Sequence, residues 1–81
     1  MNTSRMLNYY EEFRKVVIEG LGGSDMADEF FKMHPHMVSR MRADVIYHEN
    51  KGASPRDGAN AFLAFKVKPR LQIDRMHAPN L

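Results

Sequence analysis

The histidines are the residues whose chemistry most readily suggests a site. His34 and His36 flank Pro35, and His48 follows Asp44 by four residues, about one turn of a helix. Imidazole and carboxylate groups are common ligands of transition metals. A His-Pro-His pair fixes no ligand geometry, however, and no second carboxylate–histidine cluster completes a set of ligands. We therefore predict that the protein has no metal site and needs no cofactor.

The residues that could act as nucleophiles lack the neighbours that catalysis requires. Thr3, Ser39 and Ser54 have no adjacent base in the sequence. A nucleophile needs such a base and a site for the oxyanion. Gly20, Gly22 and Gly23 follow a predicted helix, where they serve as a stop, and they do not lie between a strand and a helix as a phosphate-binding loop would. We predict that the protein is not an enzyme and has no small-molecule substrate.

Basic residues are concentrated in the second half of the chain. Residues 1–38 contain four Lys/Arg and six Asp/Glu, whereas residues 39–81 contain eight and four, within a net charge of +2. If the third predicted helix and the segment after it lie side by side, their basic side chains form one patch that can bind phosphates. The predicted binding residues for a nucleic acid or an acidic partner are Ser39, Arg40, Arg42, Lys51, Arg56, Lys66, Lys68 and Arg70.

Two functions are compatible with this surface. The first, which the sequence favours, is a small regulator that binds DNA or RNA with Ser39 and Arg40 near the bases. The second is a protein-binding module, a compact inhibitor or accessory protein that occupies the functional surface of another protein. In that case Ile46 and Tyr47 are the predicted anchor, because aromatic residues and arginines dominate such contacts. Either function allows a homodimer and an origin in a phage or mobile element.

The run from Phe31 to Met41 resembles the turn and the start of the recognition helix in winged-helix repressors of the multiple-antibiotic-resistance type. Its apolar spacing matches, and Pro35 stands where such turns often carry proline. Residues 54–58 and the apolar alternation after them are similar to the wing of that family. The resemblance implies DNA binding through the third helix and a β-structured wing. Lys32 replaces the usual glycine of the turn, and Ala59 replaces the arginine that commonly follows the Asp-Gly of the wing.

The sequence predicts three helices in the N-terminal part of the chain, and the third of them carries Arg40 and Arg42. Apolar residues recur at helical spacing from Thr3 or Ser4 to about Leu21, and again over about 25–33. Gly22 and Gly23 predict the end of the first helix. Pro35 suits the first position of a third helix, whose end is left open because residues 45–48 are also a good strand sequence.

The C-terminal third changes its pattern after a loop-like stretch at residues 50–60. Apolar residues occupy odd positions from Ala61 to Ile73, with only Pro69 interrupting, and such alternation is typical of strands. We predict a mostly helical α+β fold with three N-terminal helices, a basic loop and one or two C-terminal strands. The alternative is an all-α four-helix domain, in which residues 54–57 begin a helix but Lys66 then falls on its apolar face.

Length and composition indicate one small domain, which we predict over residues 1–74 with a frayed tail at 75–81. The chain has 81 residues and no cysteine. The absence of thiols fits a reducing compartment. No apolar run approaches the roughly 20 residues of a membrane span, and the N-terminus does not have the pattern of a secretory signal. We predict a cytoplasmic protein without membrane contact.

Overall fold

Helices account for all the regular structure between residues 3 and 77, the part of the chain that the computed structural model describes, with side chains for residues 4–75. The elements are α1 (Thr3–Leu21), α2 (Ser24–Met33), α3 (His36–Asn50), α4 (Pro55–Phe62), a π-helical segment (Leu63–Val67) and α5 (Lys68–His77). The first three predicted helices are confirmed, and residues 45–48 belong to the third. None of the helices described here is long and apolar enough to cross a membrane.

The predicted α+β fold is wrong, and the all-α alternative is correct for the described residues. Residues 61–73 continue the helix that begins at Pro55. Ser54 caps this helix, since its hydroxyl accepts a hydrogen bond of 3.1 Å from the Asp57 backbone N–H. Proline at the first helical position adds to that start signal. The segment that resembles a wing is therefore helical, and of the predicted tail, residues 75–77 lie in α5 while 78–81 lie outside the described residues.

The π-helical segment explains how an alternating sequence with a proline stays helical. The Lys68 backbone N–H donates to the carbonyl of Leu63, five residues earlier. This wider turn brings Phe62 and Val67 to the same buried side, although they are five residues apart. Proline has no N–H, and its ring collides with the carbonyl four residues before it. The wide turn accommodates Pro69 in the first turn of α5.

Helix α1 is central, because it packs against α2, α3 and α4. Phe13, which is fully buried, lies at the middle of the core, with its ring centroid 5.9 Å from that of Phe62 and 6.4 Å from that of His48. Helix α4 approaches this point with Gly58, where a Cβ atom would lie 2.9 Å from the Cβ of His48. The core consists of Phe13, Val16, Val17, Leu21, Ala27, Phe30, Met37, Met41, Val45, Ala59, Phe62 and Val67.

Tyr9 fastens the connection between α3 and α4 to α1. Its hydroxyl donates to the carbonyl of Ala53 at 2.7 Å and lies 3.2 Å from that of Ser54. Burial raises the pKa of the Tyr9 phenol, and the nearby carboxylates of Glu49 and Asp57 raise it further. The neutral phenol is therefore the form that the fold favours.

Candidate protein-binding groove

A groove runs between α3 and the chain from α4 to α5, and we call it the α3–α5 groove. Its wide end has a volume of about 560 Å³ and its narrow end about 190 Å³. Phe65 and Lys66 line both ends, so the two depressions adjoin at these side chains. The other lining residues are Ala43, Asp44, Tyr47, His48 and Ala61 at the wide end, and His36, Met37, Arg40, Pro69, Arg70 and Ile73 at the narrow end.

Two aromatic side chains of the groove are largely open to solvent. Phe65 is 74% exposed and Tyr47 is 54% exposed. The Tyr47 hydroxyl accepts a hydrogen bond of 3.0 Å from the Lys51 ammonium, which also lies 5.0 Å from the ring centroid. Exposed apolar groups gathered in a concave surface are typical of interaction sites. Lys51 contacts the tyrosine ring, whereas about three quarters of Phe65 is open to solvent.

The charges of the groove are unequally compensated. Lys66 lies 3.9 Å from the carboxylate of Asp44, so the charge at the wide end is largely balanced. Arg40 and Arg70 line the narrow end, and neither forms an ion pair with a side chain of residues 4–75. The narrow end is therefore basic, and the wide end is aromatic and close to neutral.

The structure brings only some of the predicted binding residues together. Arg40, Lys66, Arg70 and Tyr47 line the α3–α5 groove. Lys51 is tied to Tyr47 at the far end of α3. These residues lie along one flank of α3.

The remaining predicted residues lie elsewhere. Arg42 and Ile46 line a separate groove between α1 and α3, of about 360 Å³, so Ile46 and Tyr47 are on different flanks of α3. Arg56 lies beside α1, in a depression that Glu12 and Glu19 also line. Ser39 and Lys68 are exposed and line neither groove.

The histidines serve packing and positioning in this structure. Among residues 4–75, no three His, Asp or Glu side chains converge to hold a metal. His34 is buried, and its Nε2 lies 2.8 Å from the Asp74 carboxylate. Its ring centroid is 5.0 Å from that of Phe30. The His34–Asp74 pair thus ties α5, one wall of the α3–α5 groove, to the connection between α2 and α3.

Phe65, Ile73 and Asp74 are site residues that the sequence reading missed. Phe65 and Ile73 belong to the odd-position alternation that predicts strands, but both are exposed in the helical structure. The helix start at Ser54 is the signal that would have shown this, because a helix from that point distributes residues 61–73 around its axis. Comparison of the chain with protein-family models, curated proteins and solved structures finds no match.

Proposed function

We propose that the protein is a protein-binding module whose α3–α5 groove receives an acidic amphipathic helix of a partner protein. The observation that carries this proposal is the pair of exposed aromatic rings, Phe65 and Tyr47, in the same groove as Arg40 and Arg70. These two guanidinium groups form no ion pair with a side chain of residues 4–75. Aromatic residues and arginine are the side chains that most often dominate protein–protein binding energy.

The chemistry of the groove specifies the partner. A helix lying in the groove can bury apolar side chains at i, i+3/i+4 and i+7 against Phe65, Tyr47 and Ile73. Carboxylates on the flank of that helix can pair with Arg40 and Arg70, and arginine binds carboxylates in a bidentate manner. Such a module acts by covering a helix that its partner uses for other contacts, which is how a compact inhibitor or accessory protein works.

The distribution of cations favours a protein partner over a nucleic acid. Binding to a phosphate backbone grows with the number of cations that reach it together. Here Arg42 and Arg56 lie away from the groove, and Lys66 has a carboxylate beside it. Two guanidinium groups remain for the narrow end, while the apolar Phe65 of the same groove is 74% exposed.

Two synthetic helical peptides test the proposal. They have leucine at the same i, i+3, i+4 and i+7 positions, and their outer positions carry glutamate in one peptide and lysine in the other. We expect fluorescence anisotropy to show binding of the glutamate peptide alone. Phe65→Ala and Arg40→Ala should each weaken it by about 30-fold, as for a contact worth about 2 kcal/mol. Leu71→Ala and Arg56→Ala, exposed residues outside the groove, are the matched controls.

Two kinds of result would contradict the proposed function. A wild-type protein that binds neither peptide, or both equally, would refute the proposal. A labelled mixed-sequence DNA duplex should be measured beside them at about 50 and about 200 mM salt. Tight binding that falls by about 100-fold over that range, and that Phe65→Ala leaves unchanged, would identify a nucleic-acid-binding protein instead.

A further inference from the structure

The outer face of α2 has the chemistry that the α3–α5 groove is suited to bind. Met26 is 59% exposed and Met33 is 63% exposed, and Glu29 lies between them at the spacing of one helical stripe. Asp25 and Asp28 are also exposed on this helix, and so is Lys32 among them, so three carboxylates and one ammonium group give this surface a net charge of −2. Methionine side chains adapt to irregular apolar surfaces and make favourable contacts with aromatic rings. We call this surface, residues 25, 26, 28, 29, 32 and 33, the α2 face.

We propose that a second copy of the chain places its α2 face in the α3–α5 groove. This inference rests on the proposed function of the groove and names what occupies it when no other partner is present. The carboxylates of the α2 face complement Arg40 and Arg70, which no carboxylate among residues 4–75 neutralises. Its methionines complement the exposed ring of Phe65. Charge and apolar character are thus both matched between two surfaces of one chain.

The position of the two surfaces in the chain favours a closed dimer. Helix α2 ends at Met33, and the groove begins at His36, with only His34 and Pro35 between them. The α2 face and the groove are therefore neighbours around one short connection. A single two-fold axis near that connection can place each α2 face in the groove of the other copy. Such reciprocal contacts close on themselves, whereas the same contact made without a two-fold axis would produce a ring or an open chain of copies.

The dimer and the partner protein then compete for the same groove. A partner helix must displace the α2 face of the second copy before it binds. Self-association consequently lowers the apparent affinity for a partner, and it does so more strongly as the protein concentration rises. The α2 face acts as an inhibitor built into the chain.

Sedimentation velocity of the full chain, from about 1 μM to about 1 mM, tests the dimer over the affinity range of moderate complexes. Glu29→Lys and Arg40→Glu should each weaken dimerisation by about tenfold or more, since close interfacial charge pairs couple by at least about 1.5 kcal/mol. The double variant Glu29→Lys/Arg40→Glu restores opposite charges across the interface and should regain most of the affinity. Glu11→Lys makes the same charge change at an exposed position of α1 and should leave the dimerisation affinity unchanged.

A wild-type chain that stays monomeric over that range would overturn the inference. A dimer that survives both single reversals would also overturn it, and would point to the groove lined by Leu7 and Ile46. The glutamate peptide separates this inference from the proposed function. If the Glu29→Lys variant no longer dimerises and the glutamate peptide still does not bind its intact groove, the proposed function is wrong while the dimer inference stands. If the peptide binds the wild-type chain and dimerisation is absent, the inference fails alone.

Discussion

Gly58 lies where α4 packs closely against α1 and α3, and Gly58→Ala tests how closely these helices pack. The added Cβ would lie 2.9 Å from the Cβ of His48 and 3.2 Å from Cε2 of Phe13. Neither neighbouring side chain can move away without a loss of stability. The His48 Cβ is fixed to the backbone of α3, and Phe13 is fully buried against Phe62. The methyl group can be accommodated only if α4 moves away from α1 and α3.

The expected magnitude is the difference of two opposing terms. Alanine is favoured over glycine inside a helix by about 1 kcal/mol. Overpacking a core costs about 1–3 kcal/mol, and we take about 3 kcal/mol because both contacts are closer than ordinary van der Waals contact. The free energy of unfolding should therefore fall by about 2 kcal/mol, a large change for a domain of this size.

Gly20→Ala is the matched control for this experiment. Gly20 is exposed in the last turns of α1, and a Cβ there would meet the terminal methyl groups of Leu63. Those methyl groups can rotate away, so the helix-propensity gain of up to about 1 kcal/mol should prevail. Urea unfolding followed by far-UV circular dichroism measures both variants. A Gly58→Ala protein as stable as wild type, or stabilised like Gly20→Ala, would show that α4 does not pack at this depth.

Two further predictions concern the polar contacts that hold the ends of the helices. Tyr9→Phe removes the hydrogen bond to Ala53 and should cost about 1 kcal/mol at neutral pH. Because the fold raises the pKa of Tyr9 above its ordinary value near 10, the stability from its neutral form is complete below about pH 10. That stability is lost as pH rises through the folded-state pKa. In urea titrations at alkaline pH, the free energy of unfolding should therefore fall less for Tyr9→Phe than for the wild type. An equal fall in both proteins would contradict this reasoning. Asp74→Asn should lower hydrogen-exchange protection in α5 but not in α1, and unchanged protection in α5 would show that His34 does not hold it.

The first three helices could be predicted because their boundary signals and their apolar spacing agree. Gly22 and Gly23 both have positive φ, 105° and 117°, which glycine adopts without strain, and α1 ends there. Pro35 marks the break before α3. Boundary residues and periodicity are local properties, so no distant contact was needed to locate these elements.

The C-terminal third could not be predicted because its stabilising interactions are not local. A helix over this segment places Lys66 near its apolar face, and the carboxylate that balances its charge is distant in sequence. Lys66 lies 3.9 Å from Asp44 on α3, 22 residues earlier. The π-helical turn that accommodates Pro69 shifts the register by one residue, and no residue type specifies such a turn. Alternation outweighed the single local signal for a helix, the cap at Ser54.

The grouping of the basic residues shows the same limit within a helix. The sequence prediction places Arg40 and Arg42 in one patch, on the condition that the third helix and the segment after it lie side by side. Residues two apart on a helix do not face each other. Arg40 therefore lines the α3–α5 groove, while Arg42 lines the groove on the side of α1. The path of the chain after residue 50 determines which flank of α3 lies beside α5. The alternating pattern predicted strands there and so gave the wrong path.

The alternation that led to the wrong fold and the exposed apolar groups of the groove have one physical cause. Apolar residues at every second position spread around a helix, so a single buried face cannot cover them all. In this chain Val67 is buried, whereas Phe65, Leu71 and Ile73 are exposed. Exposed side chains contribute little to stability, typically within about 0.5 kcal/mol. Phe65→Ala should therefore keep the fold intact, and any loss of peptide binding in that variant then reports on the groove itself.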